Sequence, residues 1–223
     1  MSDFCPQAVI FDMDGLLVDS EPVWAIAEDA MLADHGKQSN YEIQRGLVGL
    51  RMRDFLAGMR RAYGLTETVD DLSVDITARM ISLIPQKVVA RPGAQELLDF
   101  LYERNVPCAI ASSSPMAIID ATVTAQGWNR YFRTHVCGDD VAQGKPAPDI
   151  YLEAARRIRF DPLVCLALED SPTGAKAAVA AGIVCYAVPD PSHTTPVAFA
   201  SVTPHLYDSL YQVLNTLEQC AFG

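Results

Sequence analysis

Residues Ala8–Pro22 read AVIFDMDGLLVDSEP, and this stretch decides the fold. Its first four residues form a short, unbroken apolar run, the pattern of a strand buried on both faces of a parallel sheet. The run stops abruptly at Asp12-Met13-Asp14-Gly15. Carboxylates directly beyond a buried strand fall at the edge of the sheet where open α/β folds bind their ligands. A helix should follow, with Ser20 as its N-cap and Pro22 in its first turn. Val23, Trp24, Ala27, Met31 and Leu32 then recur at helical spacing.

Working outward, the next strand that reads as buried is Val106–Ala111. Between the two, the periodicity is helical around 41–47, 53–63 and 70–84, with Gly49, Gly64 and Pro85 as separators. No β-like run interrupts these pieces, so residues 21–86 read as an all-helical cap. Residues 1–20 and 87–223 form the core. After Arg91-Pro92-Gly93, helices of about ten residues alternate with strands near 106–111, 134–138, 164–168 and 183–188. Ser114 and Ser171 stand as N-caps of two of these helices. Such alternation implies crossover units, hence an α/β architecture: a Rossmann-like open parallel sheet with a small helical cap inserted after strand one.

Composition narrows the function classes. Half of the 223 residues are hydrophobic, enough for a full core. Seventeen Lys and Arg against 28 Asp and Glu leave a net charge of −11, which argues against nucleic-acid partners. The N-terminus lacks the basic and apolar pattern of a signal peptide, and the run 177–188 is too short to span a bilayer. The expectation is therefore a cytoplasmic protein with no membrane partner, a monomer or weak homodimer. Six scattered cysteines without a C-x-x-C pair read as reduced, structural thiols.

The strand ends carry the chemistry. Strand one ends in Asp12 and Asp14, and the next ends in Ser112-Ser113-Ser114. Lys145 lies in the loop after the third, and the fourth ends in Glu169-Asp170-Ser171. Each has a bland reading alone: a surface turn, a helix cap, a solvated lysine. Four carboxylates converging on one cleft repel one another unless a cation joins them, so a hard divalent metal is implied.

These residues are recognisable. Val9–Pro22 resembles the first motif of the haloacid dehalogenase-like hydrolase superfamily, and Ile110–Ser114 its second. Lys145 in GKPAPD resembles the third motif, and Leu168–Gly174 the fourth. Within the superfamily the chain is similar to the β-phosphoglucomutase-like subgroup and to sugar phosphatases of the hexitol-phosphatase and 2-deoxyglucose-6-phosphatase kind. The resemblance implies a Mg²⁺-dependent phosphomonoesterase that hydrolyses a small phosphorylated sugar or sugar alcohol through an aspartyl-phosphate. It makes Asp12 the nucleophile and Asp14 the acid and base. Mg²⁺ would sit on Asp12, the Asp14 carbonyl and Asp170, with Glu169 as a supporting or alternate ligand. Ser112, Ser113 and Lys145 would hold the phosphate, and Trp24 and Arg51 are cap residues expected to bear on specificity. The alternatives are a phosphosugar mutase, a dehalogenase and a non-catalytic binding module. Trp24 stands where the mutases carry a histidine, and Arg79 where they carry a cap lysine.

Overall fold

The computed structural model describes residues 4–40, 42–43, 47, 50–190 and 194–220. Its centre is a parallel sheet of β1 (Ala8–Phe11), β4 (Cys108–Ser112), β5 (Phe132–Cys137), β6 (Cys165–Glu169) and β7 (Val184–Ala187), in the order β5-β4-β1-β6-β7. Strand β1 lies in the middle, and Phe11 pairs with Ile110 on one side and Leu168 on the other. This register brings the residues after Phe11, the end of β4 and the end of β6 to one edge.

The two faces of the sheet follow the two-residue alternation of the strands. Val9, Phe11, Ile110 and Leu168 belong to one apolar layer, with α4 (Ala94–Glu103), α5 (Met116–Ala125) and α8 (Leu210–Leu217). Ala8, Ile10, Ala109 and Ala167 belong to the other, with α6 (Asp149–Ile158) and α7 (Pro172–Ala180). The small side chains on this second face leave room for Tyr151, which is fully buried there.

Three further helices, α1 (Glu21–Asp34), α2 (Met52–Tyr63) and α3 (Val69–Lys87), lie in the stretch between the first strand and the rest of the sheet. Met31, Leu56, Met59, Ile76 and Met80 are buried where α3 packs on α1 and α2. The chain leaves and re-enters the sheet through a short antiparallel ribbon of β2 (Val18–Asp19) and β3 (Val89–Ala90). The start of α3 is set by a capping box, in which Thr68 and Asp71 satisfy each other's backbone N–H groups.

Some sequence expectations need correction. Helix α3 does not stop before Pro85 but runs through it to Lys87. A proline so near the end costs one backbone hydrogen bond, and the Val88 N–H still closes the last turn on the Ile84 carbonyl. The helix expected over 41–47 falls mostly outside the described residues. Cys5 and Cys220 are paired as a disulfide, whereas Cys108, Cys137, Cys165 and Cys185 are free and buried. Reduced thiols were the expectation for all six. The two partners stand 215 residues apart, and only the folded chain brings them together. Among the described residues no helix is long and apolar enough to cross a membrane.

Candidate active site

Asp12 is the first residue beyond β1, and its N–H continues the ladder to the Leu168 carbonyl at 3.0 Å. That bond aims the side chain into the cleft beyond the sheet edge. Lys145 Nζ donates to Asp12 Oδ1 at 2.6 Å and to Glu169 Oε1 at 2.7 Å, and all three groups are buried. Burial raises the Asp12 carboxyl well above its ordinary range. Lys145 offsets this only in part, and repulsion from Glu169, Asp170 and Asp14 adds to it. Burial also opposes the Lys145 charge, but the carboxylates of Asp12 and Glu169 outweigh it and hold the ammonium above its usual value.

Glu169 is fully buried and surrounded by donors. Its Oε1 accepts from Lys145 and from the Tyr151 hydroxyl at 2.8 Å. Its Oε2 accepts from the Ser171 N–H at 3.2 Å and the Ser171 hydroxyl at 3.0 Å. An ionised carboxylate offers about four lone-pair sites, and this set fills them. Ser171 also caps α7, its oxygen accepting from the Gly174 N–H at 3.0 Å, as expected of it. A Cβ on Gly174 would overlap the Glu169 carboxylate, so glycine is required for this close approach. Gly15, at φ +84°, plays the same part for Asp170.

Asp14 is held by four donors from two directions. Ser20 Oγ at 2.6 Å and Trp24 Nε1 at 3.4 Å reach its Oδ1 from the start of α1. Ser112 Oγ at 3.1 Å and Ser114 Oγ at 2.8 Å reach its Oδ2 from the end of β4. This corrects the role expected of Ser114. The residue before α5 is Pro115, with no side-chain cap, and the Ser114 hydroxyl is given to Asp14 instead. Ser20 does precede α1, yet its hydroxyl likewise makes no cap bond.

The cleft at this edge is a cavity of about 170 Å³. Asp12, Asp14, Ser112, Ser113, Lys145 and Asp170 line its sheet side. Trp24, Leu47, Leu50, Met52 and Phe55, with Glu21 and Glu28, line the opposite wall. Arg51 is not in that lining. Its guanidinium bonds Asp54 at 2.6 Å and the Ala142 carbonyl at 3.2 Å, tying α2 to the loop after β5. Arg79 is likewise engaged elsewhere, with Asp34 at 2.5 Å and Asp75 at 2.9 Å.

Sequence reading thus named most of the residues now seen together; it placed Ser114 at the strand end but gave it to a helix cap, and it missed Ser20 and Tyr151 as parts of the site. The two serines were masked by their cap positions. Tyr151 carried one faint signal, a phenol on the buried face of a helix, where a hydroxyl needs a partner.

The donor set suits a hard cation. Asp12 and Asp170 bring carboxylate oxygens within 4.8 Å of each other, both residues buried, and Glu169 lies within the same distance with its own oxygens already taken by Lys145, Tyr151 and Ser171. The mutual repulsion already evident at Asp12 is what a bound divalent ion relieves.

A family model for haloacid dehalogenase-like hydrolases matches residues 6–182. A bifunctional riboflavin kinase/FMN phosphatase of Arabidopsis thaliana is 34% identical over 210 residues, and the match covers 94% of this chain but 53% of that protein. The chain therefore spans about half the length of that relative. Hexitol phosphatase B of Escherichia coli strain K12 is 33% identical, with 82% of this chain and 84% of that one covered. Among solved structures, CbbY from Rhodobacter sphaeroides in complex with phosphate superposes with a TM-score of 0.86 at 27% identity, covering 96% and 99% of the two chains. With the family model matched over most of its length and a relative 33% identical along 84% of that relative's chain, this chain belongs to the haloacid dehalogenase-like hydrolase family.

Proposed function

We propose that this protein is a Mg²⁺-dependent phosphomonoesterase that hydrolyses a small phosphorylated sugar or sugar alcohol through an aspartyl-phosphate on Asp12. The observation that carries this reading is the pairing of Asp12 with Lys145 beside an Asp14 oriented by four donors, all facing one cleft. Hexitol phosphatase B, named for its action on a phosphorylated sugar alcohol, supports the substrate class.

The steps follow from the residues. An Asp12 carboxylate oxygen attacks phosphorus, and the ester P–O bond to the leaving alkoxide breaks. Asp14, two residues further on, gives that alkoxide a proton. It then takes one from the water that cleaves the aspartyl-phosphate, which regenerates Asp12 and releases phosphate. Lys145 places positive charge beside the transferring group, Ser113 offers its hydroxyl to the phosphoryl oxygens, and Ser112 lines the same end of the cleft while its hydroxyl orients Asp14. Asp12, Asp170 and the Asp14 carbonyl would hold Mg²⁺, which supplies charge compensation at the phosphoryl group. Glu169, its oxygens occupied by Lys145, Tyr151 and Ser171, acts as the support that positions Lys145. Trp24 presents an indole N–H to Asp14, a donor that neither takes nor gives a proton, so water is favoured over a second sugar as the acceptor.

A screen of phosphorylated metabolites with Mg²⁺, reading released phosphate, tests the assignment. Activity should vanish in excess chelator and return with Mg²⁺. Full activity in chelator overturns the mechanism. Rapid conversion of β-glucose 1-phosphate to glucose 6-phosphate without free phosphate makes the protein a mutase.

The raised Asp12 carboxyl adds a pH prediction. A proton held at Asp12 competes with the metal, so apparent Mg²⁺ affinity should fall as the pH is lowered from neutral through the acid range. The sign for stability is consistent with this. A carboxyl whose folded pKa is raised costs stability above its ordinary range, and either protonation or a cation relieves the cost. Calorimetric titration should show the weakening, together with an upward shift of Tm on adding Mg²⁺ at neutral pH. A pH-independent affinity across that window contradicts it.

A further inference from the structure

We infer that the Tyr151 hydroxyl positions Glu169, holding it on Lys145 and off the metal, so that the site favours Mg²⁺ over Ca²⁺. Tyr151 is thus a positioning residue, which acts on the cation only through Glu169. The inference rests on the phosphatase reading for the place of the cation, and says which of three neighbouring acids stays out of its shell.

Glu169 stands where it has two possible partners. One of its carboxylate oxygens lies within 4.8 Å of those of Asp12 and Asp170, close enough for the three to share an ion. Its Oε1 is turned to Lys145 Nζ at 2.7 Å instead, and the Tyr151 hydroxyl donates to that same oxygen at 2.8 Å. Its Oε2 accepts from the Ser171 N–H and hydroxyl. Tyr151 is built into this place. It follows Lys145 by six residues, in the first turn of α6, and its N–H bonds the Pro148 carbonyl at 3.1 Å. Its ring is fully buried in the apolar layer that includes Ala109, Ala111 and Ala167, small residues where buried strands usually carry branched ones. The ring centroid lies 5.3 Å from Lys145 Nζ, so one side chain meets both members of the Lys145–Glu169 pair.

Each lone pair of Glu169 that accepts from a donor is one fewer for a cation. Mg²⁺ takes a small octahedral shell and keeps several waters, so Asp12, Asp170 and the Asp14 carbonyl are enough for it. Ca²⁺ takes a larger, looser shell and gains more from an added carboxylate. Without the phenol, Oε1 stays buried with one donor fewer, and a buried carboxylate oxygen short of a donor turns to the nearest cation.

Tyr151→Phe makes the test, because it removes the hydroxyl and keeps the ring. Calorimetric titration with Mg²⁺ and with Ca²⁺, each without substrate, gives two Kd values whose ratio does not depend on the amount of folded protein. In the variant the preference for Mg²⁺ over Ca²⁺ should fall by ~10-fold, the lower end of what the outer partners of a metal site contribute. A loss of packing alone lowers Tm and leaves this ratio in place. In a Glu169→Gln background, adding Tyr151→Phe should move the ratio by less than ~2-fold, since the hydroxyl acts through the Glu169 carboxylate. A ratio moved by less than ~2-fold in Tyr151→Phe alone overturns the inference. So does an equal shift in the Glu169→Gln background. Both outcomes leave the hydrolase reading standing, because no substrate enters the titrations. Wild-type protein that binds neither ion removes the metal site and the inference together.

Discussion

Asp12→Asn should lower phosphate release by at least ~10³-fold while leaving the fold in place. The amide is nearly the same shape as the carboxylate, and the backbone bond from residue 12 to Leu168 is untouched. What disappears is the nucleophile. Stability should change by no more than ~1 kcal/mol, because two effects oppose one another. Lys145 loses one of its two ionic partners but keeps Glu169 at 2.7 Å. Against that, a buried carboxyl that burial and its acidic neighbours had pushed well upward no longer has to be ionised. Mass spectrometry of wild-type protein quenched in acid during turnover should find phosphate on Asp12. Phosphate release at the wild-type rate in the Asn variant removes Asp12 as the nucleophile.

Lys145→Ala should damage both activity and stability. The ammonium is buried between Asp12 and Glu169, so its removal strands two carboxylates in a site that neither can leave. Breaking a buried pair in this way typically costs ~3–5 kcal/mol. Turnover should fall by ~10³-fold, the usual scale for losing one charge-stabilising group at a transferring phosphoryl centre. The pH dependence distinguishes this cause from a mere cavity. Lys145 itself is held above its ordinary range, so its contribution is complete at neutral pH and is lost only in strong alkali. In the variant the stranded carboxyls carry the penalty, and protonation relieves it. The stability deficit, measured by urea unfolding in chelator, should therefore shrink as pH falls from about 7 to about 5. Lys176→Ala, at an exposed position on α7, is the control and should change stability by less than ~0.5 kcal/mol. A Lys145→Ala protein as active and stable as that control makes Lys145 an ordinary surface lysine.

Much of this molecule was legible before any coordinate. The buried run Ala8–Phe11, the polar stops after each strand and the alternation beyond Gly93 define a parallel sheet, because a strand covered on both faces has no room for polar residues until it ends. The same logic put Asp12, Ser112, Lys145 and Asp170 at one edge, since parallel strands all end on the same side. The start of α3 is equally local: Thr68 and Asp71, three residues apart, form its capping box.

Other features depended on neighbours distant in sequence. Ser114 and Ser20 look like helix caps because capping is a local preference, in which the hydroxyl oxygen accepts a backbone N–H. The fold brings the Asp14 side chain within 2.8 Å of one and 2.6 Å of the other, and in the positions from which the two hydroxyls donate there, neither makes a cap bond. Arg51 follows the same rule: its sequence context suggested a substrate contact, but Asp54 and the Ala142 carbonyl hold it outside the cleft. Tyr151 became part of the site only when the β6 edge set Glu169 beneath it. The pairing of Cys5 with Cys220 likewise required both ends of the chain to meet. The parallel sheet and the carboxylate edge were thus written in local patterning, because burial acts on each segment separately. The partner of each polar group was decided by tertiary structure, because hydrogen bonds are claimed by whichever charged group the fold brings within reach.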